Sequence, residues 1–454
     1  MTLDLSEAGT KAFAKQISTA SLGDHSYIVV VDDQAVAIDI QRDLDRFDDV
    51  LSGIDASLVA VFETHIHNDY VSGGKRFADD HGAAYVLPAN TGAPYYHTPL
   101  SDGETMPVGG WVMRAMHTPG HTFNHTSYVL ESPDGPVAIF SGGSMLVGAV
   151  GRSDLLGPDN TEQLLNDQYE SMHRIASELP DPSLVAPTHG SGSFCAAGNV
   201  SATTSTIAQE RLQNPALIAP SVSAFGMSQL MGYRQFPAYY RYMAPANLEP
   251  LGAPPIDPLP VINEAGDTLG TTIVDVRAFT EFAAGHIPGS LSFEISNDDA
   301  VYMGWTLNWG SPLILVGSAD QVETVRVHLQ RIGWDDVVGR IDPENLTAFA
   351  DGPLTTIEIV DFAGIGDAAA LAMLDVRDPV EHEGGVIPGA DLAHLPKVAD
   401  DPEPYVANGK VFVYCASGYR AGIAASFILA AGGTPAVVKD NLAKFSGLLV
   451  TPAV

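Results

Sequence analysis

His65, His67 and Asp69 fall within five residues of one another in Glu63-Thr64-His65-Ile66-His67-Asn68-Asp69-Tyr70, directly after the apolar run 58–62. Imidazole nitrogens and a carboxylate presented where a buried strand ends are donors that a divalent metal takes. His121, in His117-Thr118-Pro119-Gly120-His121, and His189, in Pro187-Thr188-His189-Gly190, stand in loops further along. Far from these, Cys415 opens the loop Cys415-Ala416-Ser417-Gly418-Tyr419-Arg420, between the apolar run 412–414 and a helical stretch over 422–431. Backbone N–H groups of such a loop, with the helix amino terminus behind it, make a positive pocket. That field favours a thiolate at Cys415 and a persulfide formed on it, with Arg420 bracing the loop and helping to hold an anion.

These groups need strands that end in loops. Residues 58–62 read as a buried strand leading to His65, and 71–81 as the helix after it. A hairpin over 27–40, with Asp32-Asp33 at its turn, and a helix over 42–54 precede them. Strands are predicted at 111–117, 126–130, 136–140 and 184–187, with a Pro-Asp-Gly turn at 133–135. The spacing predicts a helix over 161–179 with a Thr start. This order fits two sheets packed face to face with helices outside. From 197 to 260 the chain turns aromatic-rich and then Pro/Ala/Leu-rich, as a closing segment and linker. Tyr233, Phe236, Tyr239, Tyr240 and Tyr242 read there as interface packing rather than a binding site.

The remainder repeats itself. Val274-Asp275-Val276-Arg277 recurs as Leu374-Asp375-Val376-Arg377, and Ile287-Pro288-Gly289 as Ile387-Pro388-Gly389, both at an offset of 100 residues. Each copy reads strand, helix, loop, strand, helix, a small α/β unit. Gly317 falls opposite Cys415, and Asp320 and Val322 fall opposite Gly418 and Arg420. The first copy is therefore expected to keep the fold and lack the chemistry.

The three histidine segments, with Gly151-Arg152-Ser153-Asp154, resemble the motifs of the metallo-β-lactamase superfamily. The repeats resemble the rhodanese homology domain. Together they imply an α/β multidomain chain: an αββα sandwich over 1–245, then rhodanese-like domains with mostly parallel sheets over 255–350 and 351–454. In the resembled superfamily one metal takes His65, His67 and His121, and a second takes Asp69, its neighbour and His189. Here the neighbour is Tyr70 rather than histidine. Ser141-Gly142-Gly143 stand where a Thr-Gly-Asp triplet is expected, so a carboxylate is absent at Gly143. A hydrolytic metal pair needs a bridging oxygen and a full second site. The resemblance then implies one metal on His65, His67 and His121, Fe(II) with Zn as the alternative. Asp69 and His189 are left to hydrogen-bond a bound ligand or to hold a second metal. The superfamily's iron-dependent persulfide dioxygenases would use His65, His121 and the absent carboxylate. In the resembled rhodaneses Cys415 carries sulfane sulfur, cradled by Ala416, Ser417, Gly418 and Tyr419 and braced by Arg420.

The domain order resembles persulfide dioxygenase–sulfurtransferase fusions. It implies O2-dependent oxidation of a low-molecular-weight thiol persulfide, coupled to sulfur transfer involving thiosulfate or sulfite. Two other readings stay open: a glyoxalase II-type thioester hydrolase fused to a sulfurtransferase, and a metal-poor scaffold in which only Cys415 works.

The 454 residues suit about three domains. With 55 acidic and 22 basic residues the formal charge is −33, which repels nucleic acid and anionic lipid. Two cysteines make no disulfide framework and suit a reducing cytosol. Residues 1–18 lack the basic start and apolar core of a signal peptide, and no run approaches the ~20 apolar residues of a membrane span. A cytoplasmic protein is expected, and the aromatic segment suggests a homo-oligomer.

Overall fold

Apolar runs on both sides of Asp32-Asp33 must pair if their backbone is to be buried, and in the computed structural model they do. Strand Asp24–Val31 pairs antiparallel with Gln34–Ile38, which pairs parallel with Ser57–Phe62. Residues 1–6, 10–197, 202–249, 251–350, 352–366, 368, 371–407 and 409–451 are described by the structure, so 198–201 of the closing segment lie outside them. The chain divides into two compact units, residues 1–254 with 331–333, and 255–330 with 334–454.

The first unit holds two sheets. One has seven strands in the order Thr2–Asp4, Ala12–Thr19, Asp24–Val31, Gln34–Ile38, Ser57–Phe62, Ala84–Pro88, Thr98–Leu100. The other has six, Ser205–Thr206, Leu184–Pro187, Gly135–Gly142, Thr126–Ser132, Trp111–His117, Thr105–Val108. Their inner faces share one core, where Tyr27 meets Phe140 at 5.1 Å and Phe62 meets Tyr128 at 4.7 Å, both edge-on across the sheets. Such pairs each add about 0.5–1.5 kcal/mol beyond the burial of their area. The buried phenols also reach the loops: Tyr27 donates to the Pro187 carbonyl at 2.7 Å and Tyr128 to the Glu63 carbonyl at 3.0 Å. Helices Asp45–Ser52 and Gly74–His81 cover the outer face of the first sheet, and Pro158–Glu178 that of the second.

Two helix boundaries differ from expectation. The helix predicted over 71–81 begins at Gly74. Ser72 N–H instead donates to Asn247 Oδ1 at 2.7 Å, and a Cβ on Gly73 would lie 2.2 Å from the Gln41 carbonyl, so the loop is pinned before the helix starts. The helix predicted from Thr161 starts at Pro158, whose preset φ suits a first turn.

In the second unit each repeat builds an all-parallel sheet. The first runs Leu291–Ser292, Thr272–Asp275, Leu313–Val316, Val337–Ile341. The second runs Glu358–Val360, Thr434–Val438, Lys410–Tyr414, Met373–Asp375, Asp391–Leu392. The repeated motif acts identically in both: Arg277 and Arg377 grip Asp275 and Asp375 through two nitrogens, and each reaches on to the carbonyl of Gly285 or Gly385. Among the described residues no helix is long and apolar enough to cross a membrane.

Candidate metal centre and cysteine loop

Asp39 ends strand Gln34–Ile38 and gathers two histidine loops. It accepts from Thr64 N–H at 2.8 Å and from Thr64 Oγ1 at 2.9 Å, and also from Thr188 Oγ1. Each threonine directly precedes a histidine. His65, His121 and His189 consequently lie together, fully buried, with their ligand atoms all within 4.8 Å of one another.

Their hydrogen bonds fix which nitrogen faces inward. The Thr64 hydroxyl gives its one proton to Asp39, so His65 Nδ1, 2.9 Å away, must donate to it. His121 Nδ1 lies 2.8 Å from the Arg152 carbonyl and His189 Nδ1 2.9 Å from Asp24 Oδ1, both acceptors. All three Nε2 atoms therefore carry lone pairs, and none has a hydrogen-bond partner among the described residues. Burial, then neighbouring imidazole charge, hold His65 and His121 well below the ordinary imidazole range, and burial lowers His189. Three neutral, oriented, unpartnered nitrogens suit a divalent transition metal.

The His67 ring, expected beside His65 and His121, lies 4.1 Å from that of His65 between centroids, while its ligand atoms converge with other residues. Its Nε2 lies 3.2 Å from Asp39 Oδ1, 3.2 Å from Glu63 Oε2 and 2.9 Å from the Tyr70 hydroxyl, with the Tyr70 ring stacked on it at 4.3 Å. Burial opposes its charge, but Asp39 and Glu63 together raise it well above the usual range. Two carboxylates and a phenol thus occupy its Nε2 edge, while Nδ1 has no hydrogen-bond partner among the described residues. On its other edge Nδ1 stands 4.0 Å from Asp69 Oδ1, and His67, Asp69 and His189 form a second group of converging ligand atoms. Burial pushes the Asp69 carboxyl up.

Gly143 is not an emptied ligand position. A Cβ there would sit 2.3 Å from His121 Cδ2, so the loop has closed onto the imidazole. His125, which no spacing argument singled out, sets this loop: its Nδ1 lies 2.9 Å from Thr118 Oγ1, and its Nε2 accepts from Gly143 N–H at 3.0 Å. Asp24 and Asp39 also escaped notice; an acid opening one apolar strand and an acid closing another are their only sequence marks. The aromatics of the closing segment pack inward onto this centre. Tyr239 donates to the Asp69 carbonyl at 3.0 Å, and Tyr233 and Phe236 flank the Arg152 guanidinium at 5.2 and 4.8 Å.

In the second unit Cys415 follows strand Lys410–Tyr414, and helix Tyr419–Ala430 begins four residues later. Gly418 N–H donates to Cys415 Sγ at 3.1 Å. Gly418 has φ 99°, and a Cβ there would lie 2.8 Å from Lys439 Cα, so only glycine fits. Cys415 is 1 % exposed beneath the open Ala416 and Ser417. Arg420 makes a two-point ion pair with Glu381, its Nη2 2.9 Å from Oε1. In the first repeat Gly317 leads to Ser318 and Gln321, whose backbone N–H groups donate to each other's side chains at 2.9 and 3.3 Å, closing the turn.

Fold and sites define a metallo-β-lactamase-like domain followed by rhodanese-like domains, architectures of enzyme families. The family description "Rhodanese-like domain" matches residues 261–340 and 362–446. Hydroxyacylglutathione hydrolase of Pseudomonas putida is 30 % identical over 173 residues, 35 % of this chain and 66 % of its own length. A probable polyketide biosynthesis zinc-dependent hydrolase, BaeB, of Bacillus velezensis is 27 % identical over 163 residues, 35 % of this chain and 68 % of its own length. This chain thus spans about two thirds of those relatives. A solved metallo-β-lactamase from Staphylococcus aureus superposes with a TM-score of 0.66 at 26 % identity, covering 73 % of this chain and 99 % of that one, more than the first unit alone.

Proposed function

We propose that the first unit oxidises a low-molecular-weight thiol persulfide with O2 at a single metal held by His65, His121 and His189, and that Cys415 transfers sulfane sulfur. One observation carries the reading: three buried Nε2 atoms without partners converge, while no carboxylate fits at Gly143 and Tyr70 is committed to His67. Fe(II) suits this role, and Zn is the alternative. A bound Fe(II) would supply redox capacity toward O2 and affinity for sulfur. The chain's own residues do the rest. Thr64, the Arg152 carbonyl and Asp24 fix the three rings through Nδ1, and the enclosing burial keeps bulk water from the reacting sulfur. Asp69, with two buried oxygens lacking hydrogen-bond partners, is placed to orient a substrate group or to take up its proton.

A second reading is a thioester hydrolase. The relatives named as hydrolases favour it, as does the His67–Asp69–His189 group, which offers a second cation site. Metal analysis of freshly purified protein, paired with O2 uptake on glutathione persulfide and hydrolysis of an acylglutathione, separates the two. The oxygenase reading expects about one iron per chain and persulfide-dependent O2 uptake, both lost in His121→Ala. Two zinc ions with thioester cleavage and no O2 uptake would reject it.

A further inference from the structure

Asp39, Glu63 and His67 form a group of converging donors apart from His65, His121 and His189, their ligand atoms all within 4.8 Å of one another. His67 Nε2 stands 3.2 Å from Asp39 Oδ1, 3.2 Å from Glu63 Oε2 and 2.9 Å from the Tyr70 hydroxyl. All four residues are 1 % exposed or less. A single ring N–H cannot serve three oxygens, and Glu63 Oε2 has no hydrogen-bond partner among the described residues. Charge is short as well. Two carboxylates face an imidazole that carries at most one positive charge, and burial makes an uncompensated charge costly.

The carboxylates are braced from behind. Thr64 N–H donates to Asp39 Oδ1 at 2.8 Å, and the Thr64 and Thr188 hydroxyls donate to Oδ2. Glu63 Oε1 accepts from the Ser72 hydroxyl and, at 3.4 Å, from that of Tyr85. Asp39 Oδ1 and Glu63 Oε2 are left turned to His67. Ligating carboxylates are held in this way by outer hydrogen bonds. Donors ~2.0–2.1 Å from a tetrahedral zinc stand about 3.3 Å from one another, close to the spacings around His67 Nε2. One nitrogen among four donors suits zinc rather than magnesium or calcium, which take six or more oxygens.

We propose that Asp39, Glu63 and His67, with the Tyr70 phenol as fourth donor, hold a structural Zn2+ distinct from the metal of the neighbouring centre. The ion takes the place of the Nε2 proton, and its two charges match the two carboxylates. Glu63 and His67 flank His65 in the chain, so the ion locks the loop that presents His65 to the centre. Tyr70, standing where the resembled superfamily has a second-metal histidine, serves this ion instead. The proposal holds for either reaction at the neighbouring centre.

The test counts metals in the full chain, expressed with zinc and iron in the medium, with folding checked by circular dichroism. His121→Ala, which removes a ligand of the neighbouring centre, should keep about one zinc per chain. Adding Glu63→Gln, nearly the same in shape, should lower that to under ~0.1, whereas adding Asp69→Asn should leave it unchanged. X-ray absorption at the zinc edge of the His121→Ala protein should show one imidazole among oxygen donors. In the otherwise unaltered chain, Glu63→Gln should remove zinc and leave iron. A His121→Ala protein free of zinc, zinc that survives Glu63→Gln in either background, zinc that leaves with Asp69→Asn, or an edge spectrum with two or more imidazoles would each overturn the inference.

Discussion

At the residue scale, Asp39 and Gly143 say most about the metal centre. Asp39 links Thr64 to Thr188 and so draws His65 and His189 together from distant parts of the chain. Despite burial, the His67 charge and the donors around it hold the Asp39 carboxyl below the usual range, so it stays an acceptor for both threonines. A ligand ring depends on such a partner for its tautomer and direction. Asp24→Ala, which leaves His189 Nδ1 unsupported, is expected to weaken metal binding ~10–100-fold, measured by chelator competition. At Gly143, where the resembled superfamily has a carboxylate, a Cβ would approach His121 Cδ2 to 2.3 Å. Gly143→Asp should displace the imidazole and lower metal content, and a protein that binds metal as tightly as the wild type would show that the loop opens at little cost.

At the element scale, the two repeats share their scaffold and differ in one turn. The Asp–Arg clamp bonds identically at 275–277 and 375–377, so it serves the fold in both copies. Removing one partner of a buried ion pair leaves the other charge uncompensated, at about 3–5 kcal/mol. Arg377→Ala and Arg277→Ala should each lose about 3 kcal/mol in urea unfolding of the full chain, and a loss under about 1 kcal/mol would mean that water replaces the guanidinium. The turn after the central strand decides chemistry. Gly418 folds under Cys415 in one repeat, whereas Ser318 and Gln321 close the turn on themselves in the other.

At the scale of the whole molecule, a candidate metal centre and a cysteine loop stand in separate compact units of one chain. Under the proposed function their chemistries are separable. Cys415→Ser should abolish sulfur transfer and leave persulfide-dependent O2 uptake within ~2-fold of the wild type, and loss of both would contradict independent sites. The charge of −33 sets a second expectation. Self-repulsion is screened over ~8 Å at physiological ionic strength, so raising NaCl from about 10 to about 300 mM should raise Tm by several degrees. A flat Tm would mean that the acids are already paired or dispersed.

The sequence by itself determined the two kinds of domain, the repeat and the one copy of it that keeps a cysteine loop. Each is written locally, in strand-length apolar runs, in an exact offset of 100 residues, and in a glycine loop against its absence. Tertiary structure alone decided which histidines converge and which ring of the first repeat meets the cysteine loop. Motif order cannot say which nitrogen of a ring is free, because that depends on Asp24, Asp39 and the Arg152 carbonyl, brought from other strands. Nor could it show that the bare repeat lays Tyr302 against Tyr419, since that contact joins residues more than a hundred positions apart.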